Sequence, residues 1–112
     1  MEQNRISDKV AALAEALKKA KIEALKFQNV DDGGTCNFDC PTLCLKRWRE
    51  SDVKKACELA NLSCSKWEDH YYNYHILSVC YGQANRRTEM AEAFTQSMKA
   101  SGYDASVWYA MD

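Results

Sequence analysis

The sequence predicts an α+β fold: a ferredoxin-like βαββαβ antiparallel sheet preceded by an extra long N-terminal helix. Three observations predict it. A heptad seam of apolar residues runs through the first 28 residues. After a glycine-rich break, residues 35–112 alternate between strand-like and helix-like patterns in the order β-α-β-β-α-β. The second and third strand-like runs are joined by a short turn, as in an antiparallel hairpin. A length of 112 residues suits a single domain, with 1–28 as the helix and 35–112 as the core.

In the first segment Ile6, Val10, Leu13, Leu17, Ala20, Ala24 and Phe27 are spaced 4-3-4-3-4-3. Lysines and glutamates fill the other faces, and Ser7 is suited to the N-cap. A helix over 7–28 would be roughly 30 Å long. Its seam can pack along the chain's own core or against a partner helix. Val10, Leu13 and Leu17 are accordingly candidates for an oligomer interface, and a homo-oligomer is expected.

Asp31-Asp-Gly-Gly34 marks a turn. Residues 35–41 read as irregular, because Pro41 lacks a backbone donor, and Thr42–Lys46 as a short strand. Ser51 is the expected cap of a second helix, in which Val53, Ala56, Cys57 and Ala60 fall at i, i+3, i+4 and i+7. Asn61 is the expected left-handed residue at its end. Leu62–Glu68 and Tyr74–Tyr81 read as strands. The third helix is expected over 86–101, burying Met90, Ala91, Phe94 and Met98 and ending at Gly102. In the final strand, 104–111, Ala105, Val107, Tyr109 and Met111 point one way, and Ser106, Trp108 and Ala110 the other. Both crossover helices belong on one sheet face. The other face must be covered by the N-terminal helix, a second subunit or a ligand.

Formal net charge is -1, which excludes a bulk drive toward duplex DNA. No apolar run approaches the length of a membrane span, and the polar N-terminus does not read as a signal peptide, so a cytoplasmic location is expected. The six cysteines are then expected as reduced thiols. Cys36, Cys40 and Cys44 are evenly spaced, but no second close pair completes a zinc site, and no metal or cofactor is expected. His75 and Cys80, five apart on one strand, face opposite sides, and Glu68 and Asp69 are adjacent turn carboxylates. No catalytic constellation emerges, so the chain reads as a non-enzyme.

The sharpest functional signal is at the start of the third helix. Asn85 is suited to the N-cap, yet Arg86 and Arg87 follow where a helix prefers acidic residues. Positive side chains beside free N–H groups favour an anion. A second basic cluster, Lys46, Arg47, Trp48 and Arg49, ends the first strand. If the first and third strands run parallel at the sheet centre, both clusters meet at one edge. Arginines would grip phosphate, Gln83 and Asn85 would orient it, and Trp48 could stack on a base. The chain carries neither a Walker A loop nor the RNA-recognition signature.

Gly34-Thr-Cys-Asn-Phe-Asp39, Gly82-Gln-Ala-Asn-Arg-Arg-Thr-Glu-Met-Ala-Glu92 and Gly102-Tyr-Asp-Ala-Ser-Val-Trp-Tyr109 resemble small uncharacterised prophage proteins of gut bacteria. The resemblance spans about the last two-thirds of the chain and brings no assigned activity. It implies an accessory, anti-defence role, by gripping a host protein or sequestering a nucleotide signal. Cys40 stands where that pattern leads one to expect a small polar residue, which argues further against a metal role. The expected function is therefore a non-enzymatic binding protein for a small phosphorylated, nucleotide-like ligand. The alternative is an interaction module that inhibits a host protein through an aromatic and basic surface.

Overall fold

The side chain of Ser7 starts the first helix, accepting a hydrogen bond from the Val10 N–H at 3.2 Å, and Asp8 adds the sign of charge a helix start prefers. The computed structural model describes residues 7–27, 29, 39–66, 73–77 and 84–109. The elements are α1 (Asp8–Leu25), β1 (Cys40–Cys44), α2 (Glu50–Leu59), β2 (Ser63–Lys66), β3 (Asn73–Leu77), α3 (Ala84–Ala100) and β4 (Ala105–Trp108). The four strands form one sheet in the order β2-β3-β1-β4, with every neighbouring pair antiparallel. No described helix is long and apolar enough to cross a membrane.

Cross-strand register divides the sheet into two faces. Leu43 lies opposite both Tyr74 and Ala105, and these residues, with Ile76, join the core. Thr42, His75, Ser65 and Ser106 share the other face with Trp108, two residues beyond Ser106. All three helices contribute to the same core as Leu43 and Tyr74, so they cover one face. The first helix lies with the other two and does not cover the opposite face, where Cys40 and Thr42 are nonetheless buried.

The heptad seam is consumed within the chain. Val10, Leu13 and Leu17 are 3%, 0% and 0% exposed, so they offer no surface to a second copy. The buried stripe is wider than the seam, because α1 packs closely on both α2 and α3, which among the described residues make no close backbone approach to each other. Ala14, Ala16, Ala20 and Ala24 supply the small side chains that let two neighbours approach one helix. The helix runs antiparallel to α3: Ala12 and Lys19 lie near Ser101 and Tyr103 beyond its end, and Phe27 reaches Glu89 and Glu92 near its start.

Element ends differ from the sequence reading in informative ways. β1 begins at Cys40 and includes Pro41. The Cys44 N–H donates to the Asp104 carbonyl at 2.9 Å, so alternate residues of β1 bond toward β4 and Pro41 faces the β3 side. Pairing with β3 stops at Thr42, so the missing proline donor costs no ladder bond. α2 begins one residue before Ser51, with Arg49 at the N-cap position and no side-chain cap. α3 begins at Ala84, which puts Asn85 in its first turn rather than at the cap. Asn61 and Gly102 end their helices in left-handed conformations, φ 59° and 95°, as their sequence positions predict.

Candidate binding surface at the β4 edge

Arg87 and Thr88 do not face solvent as an empty anion cradle. Arg87 Nε donates to the Asp39 carbonyl oxygen at 2.9 Å, and the Thr88 hydroxyl donates to Asp39 Oδ2 at 2.8 Å. Asp39 is only 4% exposed. These bonds tie the start of α3 to the residue leading into β1, so the unusual charge at this helix start serves a distant backbone carbonyl. Arg86 is half-buried and also engaged. Gln83 lies outside the described residues, as does the side chain of Asn85.

The second basic cluster is elsewhere. Arg47 occupies a left-handed turn position, φ 65°, after β1. Lys9 of α1 sits over the Trp48 ring, 4.3 Å from its centroid, and its Nζ reaches the Arg47 carbonyl at 3.5 Å. Trp48 packs partly against the core, while Arg47 and Arg49 are exposed. β1 and β3 are indeed central neighbours, but they run antiparallel. The crossover through α2 leaves β1 and β2 pointing the same way, and the following hairpin reverses β3. The two clusters therefore lie at opposite ends of β1, separated by about 16 Å of strand. The convergence expected of Arg47, Trp48 and Arg49 with Arg86 and Arg87 does not occur.

On the outer sheet face His75 stacks on Trp108, with centroids 5.0 Å apart and planes 25° from parallel. The pair spans β1 above Thr42, which is buried. Burial lowers the imidazole below its ordinary pKa and favours its neutral form. Burial also pushes the Cys40 thiol up to about 11, making it a poor nucleophile or metal ligand at neutral pH. Among the described residues no three His, Cys, Asp or Glu side chains converge on a metal-sized site. Cys36, His70 and Cys80 lie outside those residues.

A groove of about 460 Å3 lies between α3 and β4. Phe27 closes one side, Thr95 and Val107 line it, and Glu89, Glu92 and Tyr109 stand at its acidic, aromatic end. The Tyr109 hydroxyl donates to Glu92 Oε2 at 2.7 Å. That bond pushes the phenol up to about 12 while leaving the ring 61% exposed. Thr95 is 2% exposed, and its Oγ1 has no hydrogen-bond partner among the described residues. Lys99, two turns of helix past Glu92, gives the groove an opposite charge at its other end.

The strand edge forms the remaining wall. Asp104 bonds to Cys44, and the register extends that alternation to Ser106 and Trp108. Ala105 and Val107 therefore direct their N–H and C=O groups away from β1. Among the described residues β4 pairs with β1 alone. An outward Val107 backbone beside a groove can accept one further extended chain, which none of the sequence-predicted site residues suggested. A signal was present: Glu89, Glu92, Ala93 and Gln96 are spaced i, i+3, i+4 and i+7, a polar flank next to the buried stripe of α3. Its pairing with the last strand needed the topology. In comparisons with protein-family models, curated proteins and solved structures, the chain matches none.

Proposed function

We propose that the chain is a non-enzymatic binding protein that takes an extended segment of a partner protein along β4. The observation that carries this reading is the outward-facing Val107 backbone in the wall of the α3 groove. Strand addition gives affinity through main-chain hydrogen bonds and specificity through alternate side chains. Glu89 and Glu92 favour a Lys or Arg at one end of the added strand, and Lys99 favours an acidic group at the other. Tyr109 offers the type of aromatic contact that concentrates interface energy. The strand order supports the ferredoxin-like reading, in which the last strand is an edge. The resemblance to prophage proteins makes a host protein the proposed partner class and inhibition the proposed outcome, through a surface that is aromatic and acidic rather than aromatic and basic. The nucleotide-ligand reading keeps less support, because its two basic clusters stand apart.

Val107→Pro tests the proposal. It deletes an outward donor without removing a bond to β1, so the melting temperature should hold. Peptides selected from a random displayed library should be extended, carry a basic residue, and bind the variant at least tenfold more weakly. Selected peptides that bind Val107→Pro as tightly as the parent would overturn strand addition. Native mass spectrometry with a nucleotide extract separates the other reading: an added nucleotide mass, lost with Arg86→Ala and Arg87→Ala together, would restore it.

A further inference from the structure

At the opposite edge of the sheet two thiols meet. Cys57 of α2 is buried in the core, and Cys64 of β2 is half-buried against it. The two thiols line the same small cavity and lie close enough for each to shift the other's ionisation. The chain between them turns through the left-handed Asn61, and the Leu62 N–H donates back to the Cys57 carbonyl at 2.8 Å. That turn fixes the end of α2 against the start of β2. Both cysteines line a cavity of about 170 Å3 with Lys54, Glu58, Leu62 and Ser63. Of the two, half-buried Cys64 is the more accessible, and Cys57 is 1% exposed.

We propose that Cys57 and Cys64 form a redox-reactive dithiol that exchanges with small disulfides and closes into an intramolecular disulfide. The Cys64 thiolate attacks one sulfur of the small disulfide, forming a mixed disulfide and releasing one thiolate. Cys57 then loses its proton and attacks the Cys64 sulfur, expelling the second thiolate. Two protein thiols are oxidised by two electrons, and one small disulfide is reduced to two thiols. The order of attack follows from the environment. The neighbouring Cys64 thiol, together with burial, pushes Cys57 up. The neighbouring Cys57 thiol pulls Cys64 below the ordinary thiol value; burial opposes this, the nearby Lys54 ammonium reinforces it and Glu50 opposes it.

The test uses the reduced full chain, incubated with glutathione disulfide, quenched with a maleimide, and read by intact and peptide mass spectrometry. Wild type should lose two hydrogens across the Cys57 and Cys64 peptides without a lasting glutathione adduct. Cys57→Ala should accumulate glutathione on Cys64, and Cys64→Ala should leave Cys57 unreacted. Cys44, also half-buried, is the internal control. Before oxidation Cys64 should alkylate roughly tenfold faster than Cys44, a comparison made in wild type and independent of whether the variants fold. Equal alkylation rates, a lasting glutathione adduct on wild type, or a disulfide that forms only in denaturant would each overturn the proposal.

Discussion

The two edges of the sheet are built from the same parts and end up unlike each other. β2 and β4 are both four-residue strands, and each is joined to a helix that packs on the inner face. β2 reads Ser-Cys-Ser-Lys and is mostly exposed. Lys66 closes it, reaching Glu50 of the ten-residue α2 at 3.8 Å. A lysine on a short edge strand discourages a further strand from pairing there. β4 reads Ala-Ser-Val-Trp, carries no charge, and is flanked by the 17-residue α3 with its groove. The longer helix and the uncharged strand make one edge receptive, while the shorter helix and a lysine blunt the other. What the blunted edge has instead is a pair of thiols.

The largest expected effect sharpens this contrast in stability. Phe94 of α3 is fully buried on the β4 side, and Val53 of α2 is fully buried on the β2 side. Phe94→Ala should cost about 3–5 kcal/mol and Val53→Ala about 1–3 kcal/mol in denaturant unfolding. A reversed order would mean that the short helix, not the long one, anchors the core. Next comes the latch that holds α3 in place. Thr88→Val removes the hydroxyl bonded to buried Asp39 and should cost about 1–3 kcal/mol. Hydrogen exchange should rise at the start of α3 and in β1, and not in β2; equal exposure at both edges would break the comparison.

The smallest effect concerns pH. His75 binds its proton less readily in the folded chain than at its ordinary value of 6.5, because burial disfavours the charged imidazole. Its neutral form therefore supports folding above that value, and the support is lost as pH falls through the lower folded value. His75→Phe should flatten the acid limb of the stability profile, by less than any substitution above. The imidazole also stacks on Trp108, so Trp108 fluorescence should follow the same titration in wild type. A fluorescence change that persists in His75→Phe would assign the titration to another group.

Much of this architecture was legible from periodicity. The element order, the Ser7 cap, the left-handed Asn61 and Gly102, and the alternation of Ala105 and Val107 against Ser106 and Trp108 are local signals, written within a few residues of where they act. What resisted reading depends on distant partners. The seam of Val10, Leu13 and Leu17 looks the same whether its neighbour belongs to the same chain or another. Arg87 at a helix start reads as an anion grip, until Asp39 arrives from 48 residues away. The misplaced convergence of the basic clusters came from strand direction, which one hairpin reverses. The groove needs α1, α3 and β4 together, and no single stretch announces it.

The wedge position of α1 has a consequence for how the molecule is made. On the ribosome α1 emerges before either helix that flanks it, and it packs closely on both of them. Its apolar stripe must stay wet, or be shielded by a chaperone, until α3 has been synthesised. Folding is thereby tied to contacts between distant parts of the chain, the kind that slow the search for the native state. A nascent chain stalled before α3 would carry an unsatisfied greasy helix, making incomplete synthesis the moment when aggregation is most dangerous.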